Sequence, residues 1–255
     1  MVVAFVNNKG GVGKTTSAIT IAAVLAERHG PVLLVDLDSQ ASASLSLGVA
    51  RSALSPSISQ ALLDGLPVAR AIRNSGITQF DLLTGSIDLA STDVALAEVP
   101  NRERFLRTIL AGVRETYRYV LIDTPPSLSL LGVNALAAAD AFVIPAIPQA
   151  LALQGVAGLL ESIERLTRRL RLDLRFAGVL LTMPDRQART ATGDIVDRFR
   201  SELRERVFHT EIPYDAKVAD APSFGRTVLG HAPTSAAADA YRRAAGELLQ
   251  RLQTS

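Results

Sequence analysis

The residues best equipped for chemistry lie near the start of the chain, in Asn7-Asn8-Lys9-Gly10-Gly11-Val12-Gly13-Lys14-Thr15-Thr16. Glycines at this density let backbone N–H groups turn inward around phosphate oxygens. A helix starting at Lys14 adds the partial positive charge of its N-terminus. In such a loop Lys14 reaches the β- and γ-phosphates of a nucleotide, and the Thr15 hydroxyl coordinates Mg²⁺. A strand-to-helix turn can be glycine-rich without a ligand, but Gly13-Lys14-Thr15 between a strand and a helix favours the phosphate loop. The usual spacing G-x-x-x-x-G-K-[ST] would place glycine at position 8; here Asn8 stands there, and an additional lysine, Lys9, precedes the glycines. The chain has three lysines against 24 arginines, and two of the three fall in this loop. A compact ammonium is wanted at these positions, which the forked guanidinium does not replace.

Carboxylates follow at the spacing such a site needs. Asp36 and Asp38 close the apolar run Val32-Leu33-Leu34-Val35, and alternate residues of an extended segment point the same way. Asp123 closes Tyr119-Val120-Leu121-Ile122 and precedes Thr124-Pro125-Pro126. An acid after a buried strand is placed to hold Mg²⁺ directly or through water. For any one of these acids alone, a strand-end charge, helix cap or turn cap remains an alternative.

Positioning these groups requires alternating strands and helices. Apolar runs without polar alternation, as in strands covered on both faces, occur at Val2–Val6, Val32–Val35, Phe80–Leu83, Tyr119–Ile122, Ala141–Ile147, Phe176–Leu181 and Val207–Ile212. Helical patterns occupy Lys14–Arg28, Arg102–Glu115, Leu128–Ala138, Leu151–Leu170, Thr190–Arg206 and Ser235–Leu252; Ser42–Gly76 is the least regular stretch. The order predicts an α/β fold, a doubly wound, mostly parallel sheet with helices on both faces and ligands at the carboxyl ends of the strands. One domain over residues 1–255 is expected.

Bulk properties narrow the function classes. With no cysteine, disulfides, thiol nucleophiles and thiolate metal sites are excluded. A net charge of +2 does not by itself announce a nucleic-acid binder. The uncharged stretch Ala141–Leu160 is broken by Pro145, Pro148, Gln149 and Gln154, so it reads as a strand and a helix start rather than a membrane span. No secretory signal precedes the first strand, and a cytoplasmic location is expected.

Lys9-Gly10-Gly11-Val12-Gly13-Lys14-Thr15-Thr16 resembles the deviant Walker A box of the ParA/MinD superfamily of P-loop NTPases. Asp36-Leu37-Asp38-Ser39-Gln40 resembles the second box of that family, with Ser39 in place of its proline and Ala41-Ser42 in place of Gly-Asn. Further similarity runs through Asn134-Ala135-Leu136, Gly155–Leu160, Gly178–Met183 and Ile212-Pro213 to Ala221-Pro222-Ser223, and so spans most of the chain. There Tyr214-Asp215 replaces the Arg-Asn of ParA proteins. The resemblance implies an ATPase with ATP and Mg²⁺ as cofactors. Lys9 would reach the nucleotide of a second protomer and so build an ATP-dependent homodimer. Asp38 would orient the attacking water, and Asp36 would support the switch loop near Mg²⁺. Met183, Ile212 and Pro213 would wall the adenine beside the loop residues Lys9 to Thr16.

By the same resemblance the chain is similar to the short, Soj-like branch without an N-terminal helix-turn-helix domain. That branch segregates DNA: its dimer binds double-stranded DNA non-specifically and is released when a ParB-type centromere-binding protein stimulates hydrolysis, which implies a cytoplasmic, nucleoid-associated protein. Lys217 and Arg226 match basic positions of the family, and Arg186 and Arg189 extend the patch, within a stretch holding eleven arginines between Arg165 and Arg206. With no tryptophan and 5% aromatics, contact through duplex phosphates is expected rather than stacking on single strands. Two alternatives stand beside this: a MinD-like ATPase cycling on a membrane through the amphipathic tail Ala240–Leu252, and a ParA-like ATPase positioning a protein cargo. The tail carries a small apolar face without Trp or Phe for an interface, so no membrane partner is expected.

Overall fold

The computed structural model describes residues 1–149, 151–184 and 191–253. Strand β1 (Val2–Phe5) leads through the glycine loop into α1 (Lys14–His29) and β2 (Val32–Asp36). Short helices α2 (Ser42–Ser46) and α3 (Ile58–Leu63) precede a hairpin of β3 (Ile72–Ile77) and β4 (Phe80–Leu83). Helices α4 (Thr92–Ala95) and α5 (Phe105–Ala111) then lead to β5 (Tyr119–Asp123), α6 (Leu130–Ala138), β6 (Ala141–Ala146), α7 (Ala152–Leu170) and β7 (Arg175–Leu181). The chain finishes with α8 (Ala191–Leu203), the short α9 (Ala216–Asp220) and α10 (Val228–His231), and α11 (Ala236–Gln253).

The seven strands lie in the order β3-β4-β2-β5-β1-β6-β7. Every pairing is parallel except that of β3 with β4, so the expected doubly wound α/β architecture is the observed one. The apolar runs are unbroken because each strand feeds two cores. Val2, Ala4 and Val6 of the first run enter one cluster with α5, α6 and α7, whereas Val3 and Phe5 enter the other with α1 and α11. Alanines 237, 238, 240, 244 and 245 are fully buried along α11, and their small side chains let it lie close against α1.

Two expectations are corrected. Val207–Ile212 is not a strand: it makes only the isolated bridges Val179↔Val207 and Thr182↔Ile212. Between them the His209 and Thr210 N–H groups donate to the Glu247 carboxylate of α11, at 2.7 and 2.9 Å. A side chain thus satisfies donors that a strand would have offered to a neighbour. The expected helix Arg102–Glu115 is shorter, with a 3₁₀ turn at Arg102–Arg104 ahead of α5 and Gly112 as its C-cap. Edge strand β3 lies in the stretch expected to be irregular.

The bridge at Val207 explains Gly178 inside β7. Its φ is +137°, and an added Cβ would lie 2.8 Å from the Arg206 carbonyl and 3.1 Å from the Phe208 ring. Gly178→Ala is expected to cost ~3 kcal/mol from backbone strain plus overpacking, lowering Tm by about 6–12 °C for a chain of this size. Thermal unfolding followed by circular dichroism checks this, and an unchanged Tm would mean that β7 shifts freely at this point.

Candidate active site

The glycine loop is held from three sides. Val6 N–H donates to the Val143 carbonyl at 3.0 Å and Asn7 Nδ2 to the Pro145 carbonyl at 2.7 Å, anchoring the loop to β6. Asn7 Oδ1 accepts from Lys9 N–H at 3.0 Å. Thr182, just after β7, donates its hydroxyl to the Val12 carbonyl at 2.9 Å. Gly11 and Gly13 take φ of 72° and 79°, the left-handed region that only glycine enters freely. At Gly10 and Gly11 an added Cβ would meet no protein atom within 4 Å. Gly10 also lacks a positive φ, so intrachain packing does not demand glycine there, and the bare backbone leaves room for a ligand to approach closely.

Lys14 opens α1 and is 7% exposed. Its Nζ donates to the Lys9 carbonyl at 3.2 Å. Burial lowers its pKa, and the Asp123 and Asp38 charges offset part of that. The ammonium is therefore held under the loop, where an anion would meet it already desolvated.

Register brings the acids together. Asp36 and Asp123 are direct partners on the adjacent parallel strands β2 and β5, roughly 4.8 Å apart along the hydrogen-bonding direction, and both are fully buried. Asp36 is well solvated by the protein: Oδ2 accepts from Ser44 N–H at 2.8 Å and from the Ser44 hydroxyl at 2.7 Å. Its Oδ1 accepts from Asp38 N–H at 3.3 Å. Burial nonetheless pushes its pKa up to about 6. Neither oxygen of Asp123 has a hydrogen-bond partner of good geometry, the Thr15 hydroxyl lying near enough only to lower its pKa. Burial, then the Asp36 charge, raise its pKa well above the usual range, with the Thr15 hydroxyl and Lys14 acting in the opposite sense. An orphaned buried carboxylate facing Thr15 fits a cation. Among the described residues no three carboxylate or histidine groups form a metal cage, so such a cation would take most of its ligands from phosphate oxygens and water, the habit of Mg²⁺. Asp38 is half-buried, and its Oδ1 accepts from Gln40 N–H at 3.0 Å.

From the loop a cavity of about 320 Å³ extends along Gly11, Gly13, Lys14, Thr15 and Thr16 to Thr182, Met183, Ile212 and Pro213. The three residues expected beside a base thus line the same cavity as the phosphate loop. Met183 is fixed there by its N–H, which donates to the Ile212 carbonyl at 2.7 Å. Tyr214, 69% exposed, and Asp215 complete the rim; both were visible in the sequence only as departures from a motif. Lys9 points elsewhere: it is exposed and donates from Nζ to Gln149 Oε1, and it does not line the phosphate cavity.

Of the four basic residues expected at a DNA surface, Lys217 on α9 and Arg226 are exposed, while Arg186 and Arg189 lie outside the described residues. Gly225, with φ of 62°, precedes Arg226 and packs on Gly48, which follows α2: a Cβ on Gly225 would come within 2.9 Å of the Gly48 Cα. The segment after the second-box aspartates therefore touches the loop carrying Arg226.

Comparison with known proteins shows the family of the chain. Residues 1–176 match the family described as AAA domain. The chain is 44% identical to the chromosome-partitioning ATPase Soj of Thermus thermophilus, over 98% of this chain and 96% of that one. It is 36% identical to the sporulation initiation inhibitor protein Soj of Bacillus subtilis, over 97% of each. A crystal structure described as cobyrinic acid a,c-diamide synthase from Mycobacterium smegmatis, with bound ADP and magnesium, superimposes with a TM-score of 0.86 at 32% identity, covering 99% of this chain and 95% of that one.

Proposed function

Because the chain belongs to the Soj/ParA family of chromosome-partitioning ATPases, we propose that it is a Mg²⁺-dependent ATPase that segregates DNA as an ATP-gated dimer. The observation that carries the reading is the continuity of the phosphate loop with an apolar cavity, beside a buried carboxylate that has no protein partner. In this reading Lys14 and the loop N–H groups hold the phosphates and Met183, Ile212 and Pro213 flank the base. Thr15 and Asp123 hold Mg²⁺, with Asp36 supporting them, and the ion neutralises charge on the phosphates. Asp38 polarises the attacking water. Lys9 acts in a second protomer, where a cation is strongly favoured only while γ-phosphate charge is present, so ATP rather than ADP favours the dimer.

Lys217 and Arg226, with Arg186 and Arg189, supply phosphate contacts whose avidity rises when two protomers join. A ParB-type centromere-binding protein then triggers hydrolysis and release, and the protein works at the nucleoid in the cytoplasm. The membrane-cycling alternative is disfavoured because the apolar face of α11, including Tyr241 and Leu248, is buried in the fold. No described helix is long and apolar enough to cross a membrane. The synthase name belongs to a structure less similar in sequence than the Soj relatives.

The test is binding to random-sequence duplex DNA with ATP, ADP or no nucleotide across a salt series. Binding only with ATP, falling linearly in log K against log salt, is expected; no binding in any nucleotide state would overturn the DNA assignment. Lys9→Ala is expected to retain ATP binding and lose the ATP-dependent dimer, measured by light scattering after size exclusion. Normal dimerisation of that variant would remove Lys9 from the partner's site.

A further inference from the structure

The second-box aspartates do not hold themselves in place. Ser44, fully buried on α2, makes three hydrogen bonds, two of them to Asp36. Its N–H and its hydroxyl both reach Asp36 Oδ2, at 2.8 and 2.7 Å. Its Oγ in turn accepts from Gly85 N–H at 3.2 Å. A hydroxyl has one proton to donate, and with an incoming N–H at its lone pair that proton is aimed at Asp36. The other Asp36 oxygen accepts from Asp38 N–H at 3.3 Å, so the orientation of one carboxylate sets the backbone of the next acid. Gly85 closes this arrangement from behind: a Cβ there would lie 2.7 Å from the Asp38 carbonyl and 3.0 Å from Asp36 Cγ.

We propose that Ser44 is a positioning residue for hydrolysis, acting through Asp36 to hold Asp38 where it meets the attacking water. This rests on the ATPase reading of the same site. Ser44 does not line the phosphate cavity, so its effect falls on the placement of Asp38 rather than on nucleotide affinity. Without the hydroxyl, Asp36 Oδ2 keeps one donor of two, its carboxylate can turn, and the bond that orders Asp38 N–H weakens. Loss of placement in a catalytic group reaches about a hundred-fold for roughly 1 Å of displacement.

The experiment compares wild type, Ser44→Ala and Ser44→Thr in steady-state ATP hydrolysis, equilibrium binding of a fluorescent ATP analogue, and thermal unfolding. In Ser44→Ala, kcat is expected to fall about ten- to hundred-fold with KM and analogue affinity within about three-fold of wild type. Ser44→Thr, which keeps the hydroxyl, is expected to restore most of kcat. Wild-type kcat in Ser44→Ala, a loss confined to affinity, or failure of Ser44→Thr to recover activity while it folds normally would each overturn the proposal. Should Ser44→Ala not fold, Ser44→Cys, with similar shape and a weaker donor, takes its place with the same expectation. Absence of ATP hydrolysis by the wild type itself would instead strike the ATPase reading, and the two failures are thereby told apart.

Discussion

Lys14→Ala is expected to abolish nucleotide binding at concentrations that saturate the wild type. The Lys14 ammonium is already stripped of most of its water and held under the loop by the Lys9 carbonyl, so a phosphate gains a charge-assisted bond in a low-dielectric setting without first desolvating it. Truncating one partner of such a buried charge pair costs about 2–5 kcal/mol, or roughly thirty-fold to several thousand-fold in affinity. Fluorescence titration with an ATP analogue reads this directly. The apo fold should survive, because in the absence of ligand Nζ makes one hydrogen bond, to a backbone carbonyl. Lys14→Arg is not expected to rescue binding, since the planar guanidinium is wider than the ammonium the cradle encloses. Affinity within three-fold of wild type in Lys14→Ala would mean that the cavity beside the loop takes a ligand without phosphates.

Asp123→Asn is expected to change stability and activity in opposite directions. Its carboxylate is fully buried beside Asp36, with neither oxygen paired. Burial, then the Asp36 charge, hold its pKa well above the ordinary 3.8. A carboxyl whose folded pKa is raised stabilises the fold relatively at low pH, and that contribution is lost as pH climbs through the folded value. At pH 8 the wild type therefore carries a penalty that the neutral amide lacks. The nucleotide-free Asp123→Asn protein should be more stable there by about 1–3 kcal/mol, roughly 2–12 °C in Tm. At pH 4, close to the ordinary value of 3.8, the folded acid is protonated and the unfolded one only partly ionised, so most of the penalty is gone and the difference should shrink toward zero. The Asp36 carboxyl, with its pKa near 6, titrates inside the same window and shapes the middle of the curve. Calorimetry of the two proteins at pH 4, 6 and 8 measures this, and a lower Tm for the variant at pH 8 would refute the unpaired-charge account. ATP hydrolysis should meanwhile fall by at least about a hundred-fold, since an amide is a poor substitute for the anionic ligand that a divalent cation requires.

What the sequence determined by itself is whatever lies in one short segment. The loop from Asn7 to Thr16 is contiguous, so its glycines, lysines and flanking strand and helix are all legible within a few residues of one another. The same holds for β2 and β5, whose apolar runs end on Asp36 and Asp123. Tertiary structure decided everything that depends on a partner far along the chain. Asp36 and Asp123 become neighbours only through the register of β2 with β5, and their shared burial, with its consequences for charge, follows from that pairing. Thr182 clamps Val12 across 170 positions, and no local pattern marks it. Ser44 lies in a stretch without periodicity, and its role exists only because α2 folds back onto β2 while the end of β4 covers it from behind. Val207–Ile212 has strand-like residues, yet Glu247, 38 positions beyond His209, takes the N–H groups that would have made it a strand. Local propensity proposes an element, but a backbone donor pairs with whichever acceptor packing brings within reach, and that choice is made by the whole fold.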